Sequence, residues 1–312
     1  MNLKNHTIAV LKGGPGSERA VSLKSAESVV EGLRELGAEV IEIDVASRDF
    51  SIPDGVLVAV NIIHGTYGED GALQEDLEKL NVPYTGAGVE SSRIAFDKFL
   101  SKEKFIAAGV PTPRSQTLKL DGQDKLTLDL PVVVKPPREG SSVGVHLVYN
   151  EVQLAEALAD ARKFGDETLV EELIEGRELT VGVLGDQVLP VIHIEPVSGF
   201  YDINNKYPWM SGTGKTLYHC PADLDEETTA RIQAAAAAAM QALGIEVYGR
   251  VDVILRADGQ PFVLEVNTIP GMTVSSLLPK AARAAGIEFP QLMEKIIELS
   301  LQARGKGATV DI

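Results

Sequence analysis

Arg250-Val-Asp252-Val-Ile-Leu-Arg256-Ala-Asp258-Gly259-Gln-Pro-Phe262-Val-Leu-Glu265-Val-Asn267-Thr-Ile-Pro-Gly271 is the stretch that decides the reading of this chain. Two apolar runs flank Asp258-Gly259, a strong short-range signal for a β-hairpin. Side chains alternate along a strand, so Arg250 shares a face with Asp252, and Glu265 shares one with Asn267. Pairing the strands gathers two carboxylates, an amide and a guanidinium on one surface. Hard oxygen donors of this kind suit Mg²⁺, which is held by one or two carboxylates beside substrate phosphates. A neighbouring guanidinium stabilises charge developing on a transferring phosphoryl group or an oxyanion. A surface hairpin with solvated charges accounts for Asp258. It accounts poorly for Glu265 and Asn267, which interrupt the apolar run from Phe262 to Val266, so the metal-site reading is preferred.

The rest of the chain bounds what such a site serves. It has 312 residues, 44% hydrophobic and 24% charged, enough for two or three compact units. A formal net charge of −16 argues against broad nucleic-acid binding. It leaves room for a local basic pocket for a phosphorylated small molecule, with Lys98, Lys135 and Lys206 as candidates. The single cysteine, Cys220, cannot form an intrachain disulfide, which fits a reducing compartment. Its setting between His219 and Pro221 reads as a buried thiol rather than a nucleophile. The start from Met1 leads straight into a strand without a signal-peptide pattern, and no apolar run approaches a membrane span. A soluble cytoplasmic protein is expected, with neither a nucleic-acid nor a membrane partner.

Strand and helix alternate through the first hundred residues. Strands are expected over 7–11, 39–44 and 56–63, with a helix over 18–36 after the Gly13-Gly14-Pro15-Gly16 turn. Near-continuous apolar strands separated by helices imply a parallel sheet covered on both faces. Ligands gather at the carboxyl ends of such strands. Residues 13–19 and His64-Gly-Thr-Tyr-Gly-Glu69-Asp70-Gly71 lie there, although glycine clusters can be turn chemistry alone. A GxGxxG fingerprint is absent, which disfavours a dinucleotide oxidoreductase. A helix over 91–108 ends at Gly109, with Pro111 and Pro113 marking a domain junction. Beyond it, strands are expected over 130–137, 145–149 and 168–174, a helix over 151–163, and a hairpin of 178–184 with 187–195. Helices over 225–243, 275–285 and 290–303 complete the pattern.

Three further segments carry chemistry. Gly140-Ser141-Ser142-Val143-Gly144 is a flexible loop whose backbone N–H groups can approach phosphate oxygens, and Lys135 closes the preceding strand. A glycine-rich hairpin turn is the plain alternative, and the loop gains weight only from the downstream metal site. It is no Walker A loop. Residues 171–174 could hold an adenine by backbone bonds while Glu178 grips ribose hydroxyls; taken alone, the segment reads equally as a strand end with solvated acids. The polar loop 199–215 bears Tyr201, Lys206, Tyr207 and Trp209, in the manner of loops that close over reacting groups.

Taken in this order, the motifs resemble those of the D-alanine–D-alanine ligases of the ATP-grasp superfamily. The resemblance rests on Gly13-Gly14-x-x-Ser17-Glu18-Arg19-x-Val-Ser22, His64-Gly-x-x-Gly-Glu-Asp-Gly71, Pro83-Tyr-Thr-Gly86 and Asp97-Lys98. It continues through Lys135-Pro-x-Arg-Glu-Gly-Ser-Ser-Val-Gly144, Tyr201-Asp202, Lys206-Tyr207, Gly249-Arg-x-Asp252, Glu265-x-Asn267-Thr-x-Pro-Gly-Met272 and Ser275-Ser-Leu277. Each motif is weak alone, and the ordered set is specific.

The resemblance implies an N-terminal parallel-sheet α/β domain (1–98), then a two-lobed α+β ATP-grasp fold with a central lobe (99–180) and a C-terminal catalytic lobe (181–312). It implies that Lys98 and Lys135 contact ATP phosphates beneath the loop of Gly140, Ser142 and Val143. Glu171, Glu172, Leu173 and Glu178 would hold the nucleoside. Asp252, Glu265 and Asn267 would bind two Mg²⁺ ions, or Mn²⁺ in their place, with a monovalent cation as a further candidate. Glu18, with Ser141 and Tyr207, would orient the first D-alanine near His64. Arg250 and the Gly271 N–H would stabilise the oxyanion, and Lys206, Ser276 and Leu277 would receive the second D-alanine. The family also implies a homodimer.

The implied reaction joins two D-alanines through an acyl phosphate at the expense of ATP, for peptidoglycan precursor synthesis. Which group takes the proton from the attacking amine stays open. Departures cluster at Asn204-Asn205, in the insert at 208–214, and at Leu173, where some members carry an aromatic residue. The Lys206-Tyr207 pair is the pattern linked to D-alanine as second substrate, which leaves a D-alanine–D-lactate ligase as runner-up. Another ATP-grasp carboxylate–amine ligase is a more distant alternative. A non-catalytic nucleotide-binding protein is disfavoured because Arg250, Asp252, Glu265 and Asn267 are all present.

Overall fold

The computed structural model describes residues 1–140, 142–197 and 216–305. Strands β1 (Thr7–Gly13), β2 (Glu39–Val45) and β3 (Val58–Asn61) form a parallel sheet of order β2-β1-β3, with helix α1 (Arg19–Glu35) joining the first two. Alternate residues of β1 feed two cores. Ile8 and Val10 pack with Val29 and Leu33 of α1, whereas Ala9 and Leu11 pack with Leu73, Leu77 and Tyr84. The sheet is thus covered on both faces, as its apolar strands predict. Its second cover, α2 (Ala72–Lys79), escapes the sequence reading, because eight residues are too few to display a helical period.

The helix expected over 91–108 is two helices, α3 (Val89–Phe96) and α4 (Lys98–Ala107). Asp97 breaks them with an extended backbone (φ −89°, ψ 109°), and its carboxylate accepts from the N–H groups of Phe99 (2.9 Å) and Leu100 (3.3 Å). A side-chain cap supplied in mid-run satisfies the second helix's first donors, and Lys98 becomes its first residue.

Two antiparallel sheets follow. The first has order β4-β7-β5-β6, from β4 (Ser115–Lys119), β5 (Val132–Lys135), β6 (His146–Val148) and β7 (Glu167–Glu172). One of its faces carries Val132, Val134, Val148 and Val170 against Leu154, Ala157 and Ala161 of α5 (Glu151–Ala161). The second has order β11-β10-β8-β12-β13, from β8 (Gly176–Leu184), β10 (Ile192–Pro196), β11 (Thr216–His219), β12 (Tyr248–Arg256) and β13 (Pro261–Asn267). A short β9 (Gln187–Val188) also pairs with β8. The single strand expected over 187–195 is therefore interrupted, and Pro190, which has no N–H to give a ladder, lies in the gap.

Helix α6 (Glu226–Ala242) covers one face of this sheet, placing Ile232, Ala236 and Ala239 against Leu179, Val181, Val251 and Val253. The last helices, α7 (Leu277–Ala284) and α8 (Phe289–Ala303), return to the first sheet. Phe289, Leu292, Met293 and Ile296 join the core of Ile8 and Val10.

Candidate active site

The hairpin forms with the expected pairing. Arg250 lies opposite Asn267 and Asp252 opposite Glu265, and Gly259 in the turn adopts φ +81°. One detail was not foreseen. The register slips after Asp252, because Val253 pairs with Val263 and leaves Leu264 as an extra residue. This β-bulge keeps both Val263 and Val266 in the core beneath α6 while Leu264 and Glu265 line the cleft. It explains how an acidic residue sits inside an apolar run.

Asp252 is tightly held. Its Oδ1 accepts from Thr180 Oγ1 (2.7 Å) and Arg250 Nε (3.0 Å), and its Oδ2 accepts from Arg250 Nη2 (2.9 Å) and Asn267 Nδ2 (3.1 Å). Two carboxylates directly opposite on neighbouring strands repel unless a cation stands between or beside them. Arg250 answers Asp252, and Lys98 Nζ lies 3.7 Å from Glu265. The donor set of Asp252, Glu265 and Asn267 is all oxygen with two negative charges, which fits a hard dication. A metal ion at the Asp252 oxygens would compete with Arg250 for them.

A cleft of about 580 Å³ separates the two antiparallel sheets. One wall offers Lys135, Glu171, Leu147 and the loop residues Gly140 and Ser142; the other offers Glu178, Asp252, Ile254 and Glu265. Strand residues on these walls follow from register: Val133 pairs with Glu171, and Glu178 with Ile254, so each pair faces the same way. Lys98 bridges the walls, its Nζ donating to Glu139 O (2.7 Å) as well as reaching Glu265. Ser142 (φ +59°) and Gly144 (φ +68°) have left-handed backbones, and Val143 N–H donates to Gly140 O (3.0 Å). A larger hollow of about 680 Å³ lies elsewhere, lined by Phe99, Arg138, Arg162 and Phe164 among others, and holds none of the expected site residues.

Glu171 is buried and paired with two lysines, Lys135 and Lys102. Burial alone would raise its carboxyl, but Lys135 and Lys102 hold it below the ordinary range. Lys102 also donates to Thr112 Oγ1 (2.6 Å), and Thr112 in turn donates to Val263 O (2.7 Å) on the metal hairpin. Sequence reasoning missed Lys102, since a lysine on a helix normally reads as solvated. The N–H groups of Glu172 and Leu173 donate to Arg114 O (2.9 Å) and Pro131 O (3.1 Å). Any backbone grip on an adenine there passes through other groups of the segment, and Ile174 and Glu175, which the cleft also exposes, are its neighbours.

The N-terminal sheet delivers the other end of the site. Glu18 precedes α1, and Glu18 Oε2 stands 2.9 Å from where a Cβ on Gly65 would be and 2.8 Å from one on Gly140. A Cβ at either glycine would have to displace that one carboxylate. His64 is buried, with Nδ1 2.8 Å from Ile269 O and Nε2 3.5 Å from Ser25 Oγ. Burial lowers the imidazole's pKa despite the opposing charge of Glu18, so the ring is neutral and its Nδ1–H donates to the carbonyl. Ser25 Oγ also accepts from Met272 N–H (3.2 Å), which ties α1 to the Gly271 turn. Glu69, quoted in the motif but given no role, accepts from Gly65 N–H (3.0 Å). Burial, and then the charge of Glu18, raise its carboxyl to about 8.

Ser276 precedes α7, and its Oγ accepts from Thr273 N–H (3.1 Å) and would lie 3.2 Å from a Cβ on Gly271. The side chain of Leu277 belongs to the core, so a substrate would meet this residue through its backbone. Ser141, Lys206, Tyr207 and the loop 199–215 lie outside the described residues.

The chain is similar to known proteins over nearly its whole length. Residues 104–298 match the family described as "D-ala D-ala ligase C-terminus". The chain is 46% identical over 293 residues to the D-alanine–D-alanine ligase of Methylacidiphilum infernorum, covering 94% of this chain and 95% of that protein. Among solved structures it is similar to D-alanine–D-alanine ligase from Bacillus anthracis complexed with ATP, with a TM-score of 0.84, 34% identity, and coverage of 96% and 99% of the two chains. It is also similar to a D-Ala:D-Ser ligase from Enterococcus faecalis, with a TM-score of 0.83, 31% identity, and coverage of 95% and 100%.

Proposed function

The chain belongs to the D-alanine–D-alanine ligase family, and on that premise we propose how its residues join two molecules of D-alanine. The fold is α/β and α+β, with an N-terminal parallel-sheet domain followed by a two-lobed ATP-grasp. The enzyme is an ADP-forming ligase, and the dipeptide product is a building block of peptidoglycan. The carboxylate of the first D-alanine attacks the γ-phosphate of ATP, giving D-alanyl phosphate and ADP. The amine of the second D-alanine then attacks the acyl carbon, and phosphate leaves. The depsipeptide alternative is not favoured by relatives that are D-alanine–D-alanine ligases across nearly the whole chain.

The observation that carries the assignment of roles is the cleft in which Lys98, Lys135 and the Gly140 loop face Asp252 and Glu265. Lys98 and Lys135 hold phosphate oxygens, with Ser142 and Val143 in the covering loop. Glu171, Glu172, Leu173 and Glu178 form the nucleoside end. Asp252, Glu265 and Asn267 hold Mg²⁺ or Mn²⁺, which when bound counters the charge on the transferring phosphoryl group. Glu18 receives the ammonium of the first D-alanine with Ser141 and Tyr207, and neutral His64 lies beside it. Arg250, released from Asp252, and the Gly271 N–H meet the oxyanion. Lys206, Ser276 and the Leu277 backbone meet the second carboxylate. The sheets suggest drawing the second domain boundary just before β8, which begins at Gly176, with α8 counted to the N-terminal core.

Among the described residues no helix is long and apolar enough to cross a membrane. A cytoplasmic homodimer, without nucleic-acid partners, is our reading of the family context. The decisive experiment is phosphate release from ATP and Mg²⁺ with D-alanine, L-alanine, or D-alanine plus D-lactate, the products being identified by mass. D-Ala–D-Ala formed only with D-alanine supports the reading; a depsipeptide product, or no turnover despite ATP binding, overturns it.

A further inference from the structure

His193 and His219 face each other directly across β10 and β11, with ring centroids 5.5 Å apart. Glu195, two residues further along β10, shares the face of His193. Its Oε2 lies 2.8 Å from His219 Nε2. One ligand atom from each of the three residues falls within 4.8 Å of the other two. The face is fixed by pairing. His193 lies opposite Leu179, which is in the core beneath α6, whereas its neighbour Ile194 lies opposite Glu178 of the cleft. By that alternation the His193 and Glu195 side chains lie on the opposite face of the sheet from Glu178; both residues are nevertheless among those lining the cleft, and none of the three has a role in the ligase reading.

We propose that His193, Glu195 and His219 form a binding site for a transition-metal dication of the Zn²⁺, Co²⁺ or Ni²⁺ class, bridging β10 and β11. Two imidazoles with one carboxylate suit these ions, whereas Mg²⁺ prefers oxygen donors alone. Metal–ligand bonds of about 2.0–2.2 Å require ligand atoms roughly 3–3.5 Å apart. Glu195 and His219 are already that close, and rotation of exposed side chains brings His193 into range. About half of each side chain is open at His219 (47%) and Glu195 (52%), which leaves coordination positions for water. Arg177 is the nearby cation. Its Nη2 lies 3.4 Å from His193 Nδ1, a long contact that a metal can replace, while its Nη1 keeps a bond to Asp223 O (3.1 Å). The ion would join the two strands that bound residues 197–215 in sequence, the segment bearing Lys206 and Tyr207.

The test is titration of the full-length protein with Co²⁺ under saturating Mg²⁺, read by visible ligand-field absorption. One equivalent with imidazole-type bands is expected, retained in Glu265→Gln and lost in His219→Gln. The same equivalent should raise the melting temperature of the unsubstituted protein and not that of His219→Gln, whose Mg²⁺-dependent ligase activity stays unchanged. Bands that persist in His219→Gln, or that vanish in Glu265→Gln, overturn the site. So does the absence of imidazole-type bands. Because the readout is spectroscopic, failure here leaves the ligase reading untouched, and failure of the ligase assay leaves this site standing.

Discussion

Lys102 and Glu171 form an ion pair in which both side chains are almost fully enclosed, 5% and 2% exposed, and Glu171 passes its second oxygen to Lys135. Two cations thus share one carboxylate, so Lys135 keeps net positive charge for a phosphate. Removing Lys102 would leave Lys135 as the sole neutralising partner of a buried anion and draw it away from the cleft. Lys102→Met is therefore expected to weaken ATP binding about tenfold and to cost roughly 3–5 kcal/mol of stability, as loss of one partner of a buried pair does. Lys102→Met/Glu171→Gln should recover much of both. Calorimetric ATP binding and urea unfolding check this, and a double variant no better than the single one would sink the charge-sharing account.

Glu265 stands opposite Asp252, where the repulsion of two carboxylates is offset by Arg250 beside Asp252 and Lys98 beside Glu265. Glu265→Gln removes one hard ligand and one source of that repulsion. Turnover should fall to background while the metal-free melting temperature changes little. The stabilisation that Mg²⁺ and ATP give the unsubstituted protein should largely disappear in the variant. Thermal melts with and without Mg²⁺·ATP measure it, and near-normal phosphate release would remove Glu265 from the metal site.

The faces of this hairpin were legible because a strand has period 2, and residue types alone place Asp252 beside Arg250. The bulge at Leu264 was not, because one extra residue leaves no mark in composition, only a shift of register against β12. Asp97 carried the signature of a cap, yet it sat among helix-compatible residues that continued the pattern on both sides. Lys102 and Ser25 were illegible for another reason: their partners Glu171 and Met272 are far along the chain, and only tertiary packing makes the contact. Lys135, Asp252 and Glu265 were recoverable because each lies at a strand end or on a strand face that local pattern defines, whereas Lys98 begins a helix that the sequence reading ran straight through.

Glu69 adds a pH dependence. Its carboxyl is raised to about 8 in the folded chain, by burial first and the Glu18 charge second. Between the unfolded value and about 8 the folded state binds the extra proton, so this group's stabilisation is complete at low pH and drains away as pH rises through about 8. The slope is at most about 1.4 kcal/mol per pH unit. Glu69→Gln should flatten the fall in stability from pH 5 to 9, measured by urea unfolding of the metal-free protein; an unchanged slope would show that Glu69 titrates as an ordinary carboxylate.

Gly140 carries the most local prediction. A Cβ there would come 2.8 Å from Glu18 Oε2 and 3.7 Å from Oε1, so Gly140→Ala must displace the Glu18 carboxylate. The substitution carries little backbone strain, since Gly140 is not among the left-handed glycines, in contrast to Gly65 at φ +70°. Its effect should therefore fall on the amino-acid end of the site. We expect kcat/KM for D-alanine to drop about tenfold, roughly 1.4 kcal/mol, with ATP affinity changed less than threefold. Gly65→Ala, which adds strain to the same contact, should lose stability as well as activity. Steady-state kinetics in D-alanine and in ATP separate the two substrates, and a Gly140→Ala loss confined to ATP would place Glu18 outside the first substrate's site.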